Sequence, residues 1–163
     1  MLSVRVTELL NHQINQELYS AYIYLDIANY YIHEGLNGYG KWYTVQAKEE
    51  QEHAMKIMRY LQDNGREIVL EKIDAPNLHF ENYLEPLLKA HDHERYVTEL
   101  IHNIYFEASA VHDYRTMQFL DWFIKEQGEE EMNTEDQIRK FELFGGDAKS
   151  LYGLDKELGR RTE

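Results

Sequence analysis

The sequence predicts an all-α fold: a four-helix bundle with a long crossover between helices 2 and 3 and a short fifth C-terminal helix. Three observations lead there. Apolar residues recur at helical spacing through four long segments, while the alternating runs of half-buried strands are rare. Only two prolines, Pro76 and Pro86, interrupt 163 residues rich in Glu, Lys, Leu, Ala, Tyr and Gln. The connection 66–82 is too long for a tight antiparallel turn and fits a crossover running the length of a bundle. The length suits one domain, residues 1–163, with a substantial core.

The first helix has Ser3 as its N-cap and runs to about His33, where Gly35 ends it. Its core face reads Val6, Leu10, Ile14, Glu17, Ala21, Tyr24, Ala28, Tyr31. The far side, with Tyr19, Tyr22, Ile23 and Tyr30, is not polar either. A helix apolar on both sides is buried on both sides, so these four residues are expected to meet a second subunit. The second helix covers about 38–63 and stops at Asn64-Gly65. Its stripe reads Tyr39, Tyr43, Ala47, Glu50, His53, Ala54, Ile57, Leu61, opposite a solvated face of Lys48, Glu52, Lys56 and Arg59.

Asn82-x-x-Glu85 resembles a capping box and opens the third helix, with Pro86 in its first turn. Its stripe is Tyr83, Leu87, Ala90, Glu94, Val97, Ile101, Tyr105, Ala108. Periodicity then continues to Phe144, too far for one globular helix. A break is expected near His112-Asp113, with Asp113 as N-cap, although neither Gly nor Pro marks it. The fourth helix spans 114–144 and ends at Gly145-Gly146. A short helix over about 147–158 and a charged tail follow. The core face of the fourth helix, Phe119, Phe123, Ile138 and Phe141, is interrupted by polar residues that include Gln127 and Glu130. Two readings are open at this point: a polar site inside the bundle, or a loosened, solvated turn around Gly128.

Acidic residues outnumber basic ones 30 to 17, for a net charge of −13. This argues against nucleic acid as a partner and suits a protein that attracts cations, although solubility alone would explain it. With no cysteine, disulfides, thiolate zinc sites, iron–sulfur clusters and rubredoxin-type iron are excluded. A cytoplasmic location is expected, since no signal segment is visible. No apolar run reaches the ~18 residues of a membrane span, so no membrane partner is expected.

Each stripe carries a residue that does not belong in apolar surroundings. An ionised Glu there is costly unless paired or metal-bound. In Glu50-x-x-His53, positions i and i+3 share a face and put a carboxylate beside an imidazole. Thirty-three residues separate Glu17 from Glu50, and 33 separate Glu94 from Gln127. Positions 17, 50 and 53 thus map onto 94, 127 and 130 with one offset of 77. The stretch 48–55 aligns with 125–132 at the same offset, with four of eight pairs identical. Two helical hairpins of similar design each supply one lone Glu and one polar i, i+3 pair.

One Glu from each of two helices plus an i, i+3 pair from each of the others is the carboxylate di-iron pattern of helical bundles. The sequence resembles the ferritin family, in particular prokaryotic haem-free ferritin, over essentially its whole length. Glu17, Tyr24, Glu49, Glu50, His53, Glu94, Glu126, Gln127, Glu129 and Glu130 stand where that family has its motif residues. The resemblance implies a ferroxidase that takes up Fe²⁺, oxidises it with O₂ or H₂O₂ and stores ferric mineral in a 24-subunit homo-oligomeric shell. Glu17, Glu50 and His53 would hold a first iron. Glu50 would bridge to a second held by Glu94 and Glu130, with Gln127 nearby. Glu49, Glu126, Glu129 and Glu130 match a third iron site, and Tyr24 matches the tyrosine beside the centre.

Four carboxylates in one core cannot all stay ionised without metal, so some should hold protons. The second pair, Gln127-x-x-Glu130, lacks the imidazole of the first, so iron is expected to pass through the centre instead of remaining there. No haem is expected, because position 52 is Glu where bacterioferritin carries a methionine ligand. The remaining alternatives are a bacterioferritin-like or rubrerythrin-like di-iron oxidase or peroxidase that stores no iron, a mini-ferritin, and a passive cation-binding scaffold.

Overall fold

In the computed structural model, which describes residues 2–162, the Ser3 hydroxyl accepts the Val6 amide at 3.1 Å and starts α1 (Val4–His33). The helix closes in a Schellman turn: Gly35 takes the left-handed conformation (φ 87°), and the amides of Gly35 and Leu36 reach the carbonyls of Ile32 and Tyr31. After α2 (Asn37–Asp63), Gly65 (φ 65°) and Arg66 repeat the same closure on Gln62 and Leu61.

The connection to α3 (Glu85–Ala110) lies along α1 and is tied to it by side chains. Asn11 donates to the Glu67 carbonyl at 3.1 Å and accepts the Val69 amide at 2.9 Å, and Asn15 donates to the Lys72 carbonyl. Further on, Phe80 packs edge-on against Tyr30 at 5.2 Å, and the Tyr31 hydroxyl donates to the Tyr83 carbonyl at 2.7 Å. The chain thus travels from one end of α1 to the other, as a crossover must. Asn82 accepts the amides of Leu84 and Glu85, while Glu85 reaches back to the Glu81 amide. The predicted box is therefore present, but α3 begins at Glu85, just beyond it.

The break before α4 (Tyr114–Phe144) is real and has a cause the residue types did not advertise. His112 adopts a left-handed conformation (φ 57°), and the amides of His112 and Asp113 close α3 on Ser109 and Ala108. A histidine performs here what glycine does at the other two turns, at a cost of about 1 kcal/mol. Asp113 caps α4 by accepting the Thr116 amide, and Asp147 caps α5 (Ala148–Leu158). Among the described residues there are five helices and no strand, and no helix is long and apolar enough to cross a membrane.

Helices α1 and α2 form one hairpin, α3 and α4 the other, and α5 packs across α2 and α4. The apolar interior divides into two clusters. One joins Leu10 and Ile14 to Ile57, Leu61, Ile101, Leu120 and Phe123. The other is rich in tyrosine, with Tyr24, Tyr31, Tyr39 and Tyr43 fully buried beside Leu87 and Leu154. Between the two lies a polar waist.

One expectation needs correction. Ile23 is buried within the chain, Tyr30 lies under Phe80 of the crossover, and Tyr19 packs edge-on against His93. Of the four residues expected to meet a second subunit, only Tyr22 is exposed. The crossover and α3 cover much of what was read as an unpartnered face. Tyr83, Tyr105, Phe119, Ile138 and Phe141, expected on core faces, are only partly buried.

The docking of α5 depends on close backbone approach. A Cβ on Gly38 would fall 1.6 Å from the Asp155 carbonyl oxygen. Gly38→Ala is therefore expected to displace α5 and to destabilise the protein by at least about 2 kcal/mol. Thermal denaturation checks this, and an unchanged melting temperature would show that α5 tolerates a wider spacing.

Candidate metal centre

The waist is built from the middles of all four long helices. Glu17 on α1, Glu50 and His53 on α2, Glu94 on α3, and Gln127 and Glu130 on α4 are all buried, the first three carboxylates at 1 % exposure or less. On α4 the buried stripe runs Thr116, Leu120, Phe123, Gln127, Glu130, Thr134, Gln137. Helix α4 is continuous through Gly128, so the solvated-turn reading fails and the polar interior stands.

Each carboxylate of the first pair is held by a glutamine one turn earlier. Gln13 donates to Glu17 Oε1 at 2.8 Å, and Gln46 donates to Glu50 Oε1 at 2.9 Å. That leaves the second oxygen of each facing His53. Nδ1 of His53 lies 3.4 Å from Glu50 Oε2 and 3.8 Å from Glu17 Oε2. Both His53 Nδ1 and Glu17 Oε2 are buried without a hydrogen-bond partner. Buried polar atoms are nearly always satisfied, so two orphans converging on one point mark a place for a cation. The ligand atoms of Glu17, Glu50 and His53 lie within 4.8 Å of one another, as do those of His53, Glu126 and Glu130. One imidazole and several carboxylates suit Fe²⁺, Mn²⁺ or Zn²⁺.

Glu94 belongs to neither group. Tyr24 donates to its Oε1, and Gln127 donates to its Oε2 at 3.1 Å. Gln127 also faces Thr98 and the Glu94 carbonyl with the same amide nitrogen, which makes it a donor to Glu94. Of the residues matched to a third site, Glu126 stands 3.9 Å from His53 Nε2. Glu49 and Glu129 stand apart: Glu49 pairs with Arg161 at 2.5 Å, and Glu129 with Lys125 at 3.6 Å.

The charges at the waist are balanced by protons. Burial disfavours a charged His53, but the carboxylates of Glu17 and Glu50 beside it outweigh that and raise its pKa to about 11. Burial likewise works against ionised Glu17, yet the charged His53 holds it below the usual carboxylate range. Burial together with the nearby Glu94 pushes Glu50 well up. Burial and the charge of Glu130 raise Glu94 to about 8, and burial raises Glu130 to about 7. Burial with surrounding carboxylates keeps the Tyr24 phenol protonated, so it donates.

The residue patterns did not single out several contributors. Gln13 and Gln46 were missed, although they too are 33 residues apart, and extending the repeat by one helical turn would have found them. His93 is buried against Ser20 Oγ at 2.7 Å, and burial together with Lys89 lowers its pKa to about 4, so it is neutral and structural. Trp42 and Trp122 sit at the rim of the core under Arg161 and Lys56, with Trp122 also edge-on to His53 at 5.4 Å.

Comparison with known proteins agrees with this geometry. A family model described as a ferritin-like domain matches residues 7–144. The bacterial non-heme ferritin of Staphylococcus epidermidis is 38 % identical over 162 residues, covering 99 % of this chain and 98 % of its own. That of Staphylococcus aureus is 37 % identical over the same spans. An open pore ferritin from the hyperthermophilic archaeon Archaeoglobus fulgidus superposes with a TM-score of 0.96 at 38 % identity, covering 99 % of this chain and 98 % of that one. A humanized archaeal ferritin gives 0.97 at 40 % identity, with the same coverage.

Proposed function

Because the chain belongs to the ferritin family, we propose that it is an iron-storage ferroxidase: it takes Fe²⁺ as substrate at the waist, oxidises it with O₂ or H₂O₂, and passes Fe³⁺ to a mineral inside a shell of 24 copies. The convergence of Glu17, Glu50 and His53, with two orphaned buried atoms aimed at one point, carries this reading. Glu17, Glu50 and His53 would hold one iron, and Glu50, Glu94 and Glu130 the other. Tyr24 would fix Glu94, and the glutamines at positions 13, 46 and 127 would orient the carboxylates. The looser second half, with Gln127-x-x-Glu130 where a symmetric site would repeat Glu-x-x-His, favours transit of iron over retention.

Assembly would use the face where Tyr22 and Leu25 of α1 stand exposed beside Thr44, Lys48 and Gln51 of α2, with Ile73 of the crossover at the edge. Apolar side chains of this size in one groove are what a subunit contact covers.

The deciding experiment adds Fe²⁺ anaerobically to crystals and aerobically to solution. Anomalous peaks at the iron edge are expected among Glu17, Glu50, His53, Glu94 and Glu130. In air, each chain is expected to oxidise far more iron than its ligands can hold and to keep the product soluble in a particle of shell size. A centre that stays fully loaded while further iron is oxidised would refute transit. Oxidation that stops once the ligands are filled, in a monomer or dimer, would indicate a di-iron oxidase that stores nothing.

A further inference from the structure

The charged tail beyond α5 returns to the waist in the structure. Lys41 Nζ donates to the Gly159 carbonyl at 3.1 Å, and the Tyr39 amide is held by Asp155 at 2.9 Å. These contacts lay residues 159–161 along the first turns of α2. Arg161 then folds inward and is largely buried. Its guanidinium lies 4.1 Å from the centroid of the Trp42 ring. Nη2 donates to Glu49 Oε2 at 2.5 Å, and Nη1 donates to Gln46 Oε1 at 2.9 Å.

Glu49 lines a cavity of about 590 Å³ between α2, α4 and α5 that Glu126, Glu129 and Glu130 also line. Of these four carboxylates, Glu126 and Glu130 gather with His53 into a set able to hold a metal ion, and Glu49 does not. Glu49 is instead held by Arg161, whose guanidinium is permanently charged, binds carboxylates through a rigid fork, and here also rests on an aromatic face.

We propose that Arg161 is a latch on the outer metal position, the built-in counter-cation of Glu49 that an incoming metal ion must displace before Glu49 becomes a ligand. The proposal rests on the iron-handling reading of the waist. The latch also touches the inner site. A guanidinium can only donate, so Gln46 must turn its oxygen toward Arg161 and its nitrogen toward Glu50 Oε1. With the latch closed, Gln46 is fixed as a donor to Glu50. With it open, the amide is free to turn over. The C-terminal strap therefore connects occupancy of the outer position with the orientation of the carboxylate that the two inner irons would share.

Anaerobic calorimetric titration with Zn²⁺, which does not undergo redox chemistry, tests this on the assembled protein. Wild type and Arg161→Gln are expected to bind the first two ions per chain alike. A third is expected to bind at least about tenfold more tightly in Arg161→Gln, and the gain should vanish in Glu49→Gln/Arg161→Gln. A third step unchanged in Arg161→Gln overturns the latch, as does a gain that persists in the double variant. If Arg161→Gln does not fold, Arg161→Lys serves instead: it keeps the charge but cannot span Glu49 and Gln46 together, so a smaller gain is expected and no gain overturns the proposal. Loss of the first two steps in wild type would overturn the iron-handling reading itself, and the latch with it.

Discussion

Glu50→Gln is expected to lower the rate of Fe²⁺ oxidation by at least about a hundred-fold while raising the melting temperature of the metal-free protein at pH 8. The activity loss follows from position. Glu50 is fully buried, 3.4 Å from His53, and charged repulsion couples it to both Glu94 and Glu17. In the proposed centre it is the carboxylate that both irons would share. Removing an outer partner of a metal ligand costs about 10–100-fold, so losing the shared ligand should cost more. The stability gain follows from the same facts. Burial and Glu94 raise the pKa of Glu50 far above its ordinary value, so at pH 8 the fold either carries an unfavourable charge or binds a proton to avoid it. A neutral amide of the same shape relieves that penalty, and its oxygen can still accept from Gln46. Stopped-flow absorbance of the ferric product and calorimetry of the apoprotein measure the two effects. A variant that oxidises iron at the wild-type rate would remove Glu50 from the centre. One that melts lower at pH 8 would show that the buried charge is not the strained element.

The metal-free protein is expected to lose stability steadily as pH rises from 5 to 8, and divalent metal is expected to reverse the trend. Glu94 and Glu130 have folded pKa values raised from 4.5 to about 8 and about 7. Across that window the native state keeps protons the unfolded chain has released, so stability falls with rising pH. For Glu94 alone the loss is on the order of 4 kcal/mol by pH 8. His53, raised from 6.5 to about 11, adds a contribution that is complete below pH 6.5 and declines above it. Glu17, held below its ordinary value, acts in the opposite sense, and its contribution disappears only in acid. Metal must expel the remaining protons. Titration with Zn²⁺ in buffers of different ionisation enthalpy should show close to four protons released per chain at pH 6, from His53, Glu50, Glu94 and Glu130, and fewer at pH 9, where Glu94 and Glu130 have already ionised. Proton release that does not change with pH, or an apoprotein whose melting temperature is flat from pH 5 to 8, would contradict this picture.

Most of the bundle was legible because burial on a helix leaves a periodic trace. All eight residues in each of the stripes read on α1 and α2 are buried. The waist was legible because charged residues placed in such a stripe need partners, and the 33-residue spacing supplied them. The illegible parts depend on contacts that have no period. His112 ends α3 in a conformation usually given to glycine, and nothing in its residue type announces that. Ile23 was assigned to an outer face because the crossover that covers this side of α1 has no regular pattern of its own. The pairing of Arg161 with Glu49 joins residues 112 apart, and only the path of α5 brings them together.

The two apolar clusters lie on either side of the waist, yet neither owns a long helix: α1, α2, α3 and α4 each run from one cluster into the other. The four helices act as tie rods through the charged layer. Opening the waist would require breaking continuous backbone hydrogen bonds in mid-helix, where both neighbouring turns are anchored in packed surroundings. Unfolding should therefore be one cooperative event, and the backbone amides of Glu17, Glu50, Glu94 and Glu130 should be among the slowest to exchange with solvent despite the polarity around their side chains. The proposed ligands would thus be mounted on slowly exchanging mid-helix backbone, and a metal ion entering the waist would need to move protons and side-chain oxygens but no backbone.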